Sequence, residues 1–222
     1  MIMKSNETLQ RDVLEAIKWE PLLHAAEIGV TAKDGVVTLT GVVDSYAKKL
    51  EAEDAAKNVA GVKAIAEEIT ISFNGGAKHN DTQVATDVVN AFKFNWEVPE
   101  DKIHVKVENG WITLTGEVEW NYQKDAAREA VKNLTGVKGV TNNVTIKSNL
   151  HDAIEKMDIE RALNRNWAID SDDIEVAVSG NRVTLNGTVD SIYQRDEAGR
   201  IAWNAPGVRS VDNELVIDYS EL

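Results

Sequence analysis

Apolar residues recur along this chain in two periods, and the alternation between the periods occurs three times. Leu9, Val13, Ala16 and Ile17 follow the i, i+4, i+7, i+8 spacing of a helix with one buried face; Val84, Val88, Ala91 and Phe92 repeat it, and Ile159, Ala162 and Leu163 keep most of it. Period-two runs follow each time. Ile28, Val30 and Ala32 correspond to Ile103, Val105 and Val107, then to Ile174, Val176 and Val178. Next come Val37, Leu39, Gly41 and Val43, matched by Ile112, Leu114, Gly116 and Val118 and by Val183, Leu185, Gly187 and Val189. The pairs Asp34-Gly35, Asn109-Gly110 and Gly180-Asn181 between the two runs predict two-residue hairpin turns with positive φ at both central positions.

Spacing turns the likeness into a repeat. Gly41, Gly116 and Gly187 lie 75 and 71 residues apart, and Gly61, Gly136 and Gly207, each followed by valine, have the same two spacings. The chain is therefore read as three copies of one module, at 5–74, 81–147 and 151–219, joined by 74–80 and by the shorter 147–150. Between the two glycines of each copy runs a second helix with a mostly alanine stripe: Ala52, Ala55, Ala56 and Val59; Ala127, Ala130, Val131 and Leu134; Ala198, Ile201, Ala202 and Ala205. Asp44-Ser45 and Asp190-Ser191 mark its start, and Gly61, Gly136 and Gly207 are expected at its C-cap. A glycine on the buried face of a strand asks for a backbone passing close over it, and the alanine helix is expected to supply it. A third strand ends each copy, with Ile65, Ile69 and Ile71 answering to Val140, Val144 and Ile146 and to Val211, Leu215 and Ile217.

The predicted fold class is α+β: three tandem α-β-β-α-β modules, each with two helices on one face of a small three-stranded mixed sheet and a right-handed crossover into the last strand. This order of helix, Asp-Gly-Val-Val-Thr-Leu-Thr-Gly hairpin (34–41), alanine-rich helix, Gly-Val and a final strand carrying Asn142 or Asn213 resembles the BON domain, named for bacterial osmotically inducible and nodulation proteins. The first copy has Glu67 in place of that asparagine, and the third has Asn181 in place of a turn glycine. The resemblance implies a non-enzymatic binding module linked to osmotic stress and the bacterial envelope, with phospholipid or another hydrophobic surface as its partner.

Composition bears on the partner. The chain has 222 residues, no cysteine, and 24 basic against 37 acidic residues for a net charge of -13. Thiolate and disulfide chemistry is excluded, and no nucleic-acid partner is expected of so acidic a chain. The acid is unevenly spread: 7 basic against 12 acidic residues in 5–77, 9 against 10 in 78–149, and 7 against 15 in 150–222. The nearly neutral middle copy holds three of the six tryptophans, Trp96, Trp111 and Trp120. Phe94, Trp96, Trp120 and Tyr122 are read either as a contact patch for lipid or protein or as packing between modules. Trp203 aligns with Lys57 and Lys132, an outward position that suggests a further contact. Trp19 aligns with Phe94 and Trp167 with Trp96; an aromatic after the first helix in every copy is expected to be a structural cap.

No catalytic, cofactor or metal constellation is readable. His24, His79, His104 and His151 hold unrelated repeat positions, and 170–173 lacks the glycine and distal glutamate of a calcium loop. The expected function is a non-catalytic, stress-associated protein contacting phospholipid or hydrophobic surfaces, mainly through the middle copy. A chaperone-like or self-associating module is the alternative, and a cation-responsive protein the weaker one. With Met1 as the native start the chain is expected in the cytoplasm, and in the periplasm if a leader has been removed.

Overall fold

The computed structural model describes residues 4–23, 27–73, 80–147, 156–169 and 171–218. The first module runs α1 (Asn6–Trp19), β1 (Ile28–Lys33), β2 (Val36–Val43), α2 (Tyr46–Lys57) and β3 (Ala64–Ile71). The second repeats it as α3 (Asp81–Lys93), β4 (Ile103–Glu108), β5 (Trp111–Val118), α4 (Asn121–Lys132) and β6 (Gly139–Ile146). The third comprises α5 (Lys156–Asn164), β7 (Ile174–Ser179), β8 (Arg182–Val189), α6 (Ile192–Trp203), β9 (Ser210–Asn213) and β10 (Val216–Ile217). By contact, the described residues up to Gly41 and Leu50–Ile69 group with the third module, and Val42–Lys49 with the second. Tyr46 is accordingly half-buried against the second module's core.

Small polar side chains start the helices by accepting otherwise orphaned amides. Ser5 takes the Thr8 amide at 3.1 Å, Asn80 that of Gln83 at 2.8 Å, and Ser191 that of Gln194 at 3.2 Å. Trp120 sits at the equivalent N-cap of α4 with no acceptor oxygen. Gln123 compensates by reaching back, its Oε1 accepting the amides of Glu119 and Trp120 at 3.1 Å each.

In each sheet the middle strand pairs antiparallel with its hairpin partner, and in the second and third modules it pairs parallel with the last strand; the orders are β1-β2-β3 and β4-β5-β6. In the third module the last strand is split, β9 and β10 both pairing with β8. The partners Leu185 with Asn213 and Thr188 with Val216 keep one stagger, so the interruption does not slip the register. One face of each middle strand is buried through Val37, Leu39 and Val43, Ile112, Leu114 and Val118, and Val183, Leu185 and Val189. Both helices of the second module share that face's core, α3 through Val84, Val88 and Phe92 and α4 through Ala126, Ala127 and Val131. Each fully buried large aliphatic side chain here is worth about 1.5–3 kcal/mol of transfer free energy.

Three expectations are corrected by the backbone. Gly41, Gly116 and Gly187 do lie under a closely passing chain, with φ of 142, 138 and 122°. That chain is not the alanine helix. A Cβ on each would collide with the carbonyl oxygen of Glu27, Lys102 or Asp173, the residue just before the first strand of the hairpin. The antiparallel register is the cause, because Ile28, Ile103 and Ile174 pair with these glycines. Secondly, Gly61, Gly136 and Gly207 do have positive φ, 98, 90 and 84°, but they are not helix caps. The C-caps of α4 and α6 are Asn133 and Asn204, both right-handed, and each glycine shapes the turn that follows.

Thirdly, the turns differ. Asp34-Gly35 and Asn109-Gly110 have positive φ at both positions, whereas in Gly180-Asn181 only the glycine does, at 59°. The third hairpin is therefore of the II′ sense, which needs glycine only at the first position. Asn181 uses its side chain instead, donating from Nδ2 to the Gly207 carbonyl at 2.7 Å. In the second module the corresponding space is closed, since a Cβ on Gly110 would sit 2.7 Å from the Gly136 carbonyl.

These glycines give a testable contrast. Gly116→Ala meets both a forbidden φ and a carbonyl, and is expected to cost the second module more than about 2 kcal/mol. Gly180→Ala meets nothing within 4 Å and is expected to cost about 1 kcal/mol, the price of left-handed φ alone. Urea denaturation of the two variants checks the order; equal losses would show that the carbonyl contact contributes nothing.

Candidate binding surface

The hairpin register brings three segments to one end of each module. The first strand starts beside the end of the second, and the last strand finishes there too: the amides of Ser72, Lys147 and Asp218 donate to the carbonyls of Val43, Val118 and Val189, each at 2.8 Å. The loop after the first helix, the turn into the second helix and the end of the sheet thus share an end. The opposite end is closed by the hairpin tip. There the Asp81 carboxylate accepts the amides of Asn109 and Gly110 at 2.7 and 2.9 Å, and Asn6 accepts that of Asp34 at 2.8 Å.

A tight turn sets the aromatic side chains outward. The amide of Val98 donates to the Asn95 carbonyl at 3.0 Å, and the Asn95 side chain accepts the Glu97 amide at 3.0 Å. Asn166 builds the same turn with Ile169 and Ala168. Val98 and Ile169 are buried anchors, so the residue after each asparagine stands at the apex of the turn. That residue is Trp96 or Trp167, 87% and 96% exposed. Trp19 and Phe94, at the helix end itself, are 82% and 90% exposed. The expectation that these aromatics cap the core is overturned: the anchoring belongs to Leu23, Val98 and Ile169, and the rings face outward. The sequence carried the signal in Asn-Trp-Glu-Val and Asn-Trp-Ala-Ile, an asparagine-led turn ending on an aliphatic residue.

The other candidates separate. Tyr122 is exposed, on the first turn of α4 at the aromatic end, while Trp120 beside it is half-buried. Trp203 does not point outward; it is half-buried against the core of its own module. The buried residues of its helix past Ile192 are the small Ala198, Gly199 and Ala202, which leave room for a large ring beside them. Trp111, an exposed residue of β5, lies over Gly139 of the neighbouring strand, a glycine that sequence reading passed over.

Charged groups line the sheet end of the second module, where Lys102 pairs with Glu119 at 3.1 Å and Lys147 with Glu117 at 3.0 Å. His104 borders this cavity of about 550 Å³. His24, His79, His151 and Asp170 lie outside the described residues, among which no three His, Asp or Glu side chains group as a metal site. Among them, too, no helix is long and apolar enough to cross a membrane.

In the third module the aromatic turn is tied to α6. Asn166 donates to Glu197 at 2.8 Å, and Arg200 donates to the same carboxylate at 2.6 and 2.7 Å. The Arg200 hydrogen bonds hold the Glu197 carboxyl below the usual carboxylate range, against a smaller upward push from burial. A carboxylate with a depressed folded pKa adds stability above its unfolded value and loses it as pH falls through the folded one. Acidification from roughly pH 5 to 3 is therefore expected to loosen the Trp167 turn, and Glu197→Gln to loosen it already at neutral pH. Protection of the Ala168 and Ile169 amides, taken as the exchange rate relative to the intrinsic rate at each pH, checks both; protection that is unchanged across that range in the parent chain would remove Glu197 as the acid-sensitive tie.

Comparison with known proteins agrees with this architecture. The BON domain family model matches residues 5–72, 80–148 and 151–219. The chain is 30% identical over 129 residues to osmotically-inducible protein Y of Escherichia coli, covering 56% of this chain and 64% of that protein. It is 31% identical over 121 residues to a 21 kDa hemolysin of Actinobacillus pleuropneumoniae, covering 54% and 62%. The matches therefore span just under two thirds of the length of either relative. A solved structure of CdsD, a structural protein of the type III secretion system of Chlamydia trachomatis, aligns over 94% of this chain and 91% of its own at 16% identity, with a TM-score of 0.25. Three family matches spanning nearly the whole length, on a threefold repeat of one helix-and-hairpin module, make this chain a member of the BON domain family.

Proposed function

We infer that the chain is a non-catalytic, stress-associated binding protein that contacts phospholipid surfaces through its exposed aromatic ends, chiefly that of the second module. The observation that carries this reading is the pair Phe94 and Trp96, nine-tenths exposed around a rigid turn, with Tyr122 at the same end. Phe94 supplies a wholly apolar ring, while the indole of Trp96 and the phenol of Tyr122 add a polar edge, the kind of ring that gains most at the boundary between water and hydrocarbon. The 9 basic against 10 acidic residues of 78–149 leave this module little net repulsion from an anionic headgroup, whereas the 7 against 15 of 150–222 disfavour the third. The stress association rests on the similarity to an osmotically inducible protein.

Co-sedimentation of the full chain with zwitterionic and anionic vesicles tests the reading. The double variant Phe94→Ser with Trp96→Ser is expected to bind at least about tenfold more weakly than the parent, since each buried ring contributes on the order of 1 kcal/mol or more. Trp120→Ser, at a half-buried position, is expected to change binding less. Absence of parent binding to both vesicle types sinks the lipid reading. Suppression of client aggregation that is lost in the same double variant would then transfer the surface to a hydrophobic protein partner.

A further inference from the structure

The third module carries at its aromatic end a cavity of about 750 Å³. Trp167 and Tyr193 line it together with Asp190, Ser191 and Asp218, and Asn58, from the same compact unit, contributes to the lining. Among the described residues, no lysine, arginine or histidine lines it. Two aromatic side chains and the Asp190 carboxylate disfavour an anion and favour a cation. Hydration decides which cation. Sodium and potassium hold their water shells against an aromatic wall, whereas an alkylated ammonium carries its charge under methyl groups that shed water readily and pack on indole and phenol rings.

The second module is an internal control. Trp96, Tyr122 and Glu119 hold the positions equivalent to Trp167, Tyr193 and Asp190, but Lys147 stands where the third module has Asp218, and Trp120 where it has Ser191. The lysine ammonium at that corner, paired with Glu117 at 3.0 Å, already supplies a cation. A half-buried indole stands where Ser191 offers only a hydroxyl, whose oxygen accepts the Gln194 amide. The aromatic pair is common to both modules; the acidic setting and the small residue belong to the third. In the first module Pro21 and Ala47 replace the two rings.

We propose that this cavity binds a quaternary ammonium group, presented either by a free trimethylammonium solute or by a choline headgroup. The site is separate from the lipid-contact surface of the second module and does not depend on it.

Calorimetric titration of the full chain with tetramethylammonium chloride, at constant ionic strength and against potassium chloride, tests the proposal. The expected result is a saturable isotherm with a dissociation constant of about 1 mM and none for potassium. Trp167→Ala and Asp218→Lys are each expected to weaken it roughly tenfold, while Tyr193→Phe, which keeps the ring, leaves it unchanged. Trp167 is 96% exposed, so its removal leaves the core intact, and circular dichroism verifies that. The Phe94→Ser, Trp96→Ser variant is expected to retain the isotherm in full. No saturable heat up to about 50 mM, undiminished affinity in both Trp167→Ala and Asp218→Lys, or equal binding of potassium would overturn the assignment. Given the isotherm, displacement by choline of the Phe94→Ser, Trp96→Ser variant, which lacks the second module's ring contacts, from phosphatidylcholine vesicles identifies the headgroup as the source, and choline binding by that variant with no attachment to those vesicles identifies the free solute.

Discussion

The contact between a strand glycine and the carbonyl just ahead of the hairpin organises each module. At Gly116 the Lys102 carbonyl occupies the place a Cβ would take, and the same holds at Gly41 and Gly187 with Glu27 and Asp173. A side chain there would lift the incoming loop off the sheet. The glycine is thus the reference point for a loop that starts at the first helix and ends at the first strand. Because Val98 and Ile169 anchor the middle of that loop in the core, the residues between are forced to the outside. Exposure of the aromatic rings follows from packing elsewhere and not from any property of the rings.

Around this point the module is stitched by polar contacts that join elements far apart in sequence. Asn142 donates to the Lys124 carbonyl at 2.7 Å and Asn213 to that of Arg195 at 2.6 Å, fastening the last strand to the second helix. At the other end the turn after that helix bonds back to the hairpin tip, with the amides of Lys63, Lys138 and Arg209 donating to the carbonyls of Gly35, Gly110 and Asn181, each at 2.8 Å. A 70-residue domain buries only about 60% of its unfolded surface, so such cross-ties weigh heavily in its stability. They also leave the aromatic end as the part of each module with the largest exposed apolar groups.

Most of the architecture was readable from period and spacing. Helical and alternating runs, turn pairs and two sets of glycines at identical intervals define the repeat and its elements without any tertiary information. Reading failed where the answer depended on which neighbour fills a given space. Glycine on a buried face announces a close approach, but the identity of the approaching chain is a matter of strand register. A large aromatic at a helix end looks like a cap until the turn geometry of Asn95 and Asn166 shows which residue is the anchor. Trp203 was misplaced in the opposite sense, because alignment with Lys57 and Lys132 hides how little bulk the alanine and glycine side of α6 provides.

Three copies of one module in a single chain face the problem of telling their own strands apart. The last strand of one copy has nearly the length and pattern needed to complete the hairpin of another, and exchange of such elements is a common misfolding route in repeat proteins. The asparagine tie bears on this. Glu67 stands in the first copy where Asn142 and Asn213 stand in the others, and a carboxylate has no N–H to give to the helix carbonyl that those asparagines fasten. Placed in the second or third hairpin, the strand bearing Glu67 would bring negative charge against the Lys124 or Arg195 carbonyl in a confined site. The last strands of the second and third copies thus carry a tie to their own second helix that the first cannot make with the same group, a chemical difference between strands otherwise alike in length and pattern.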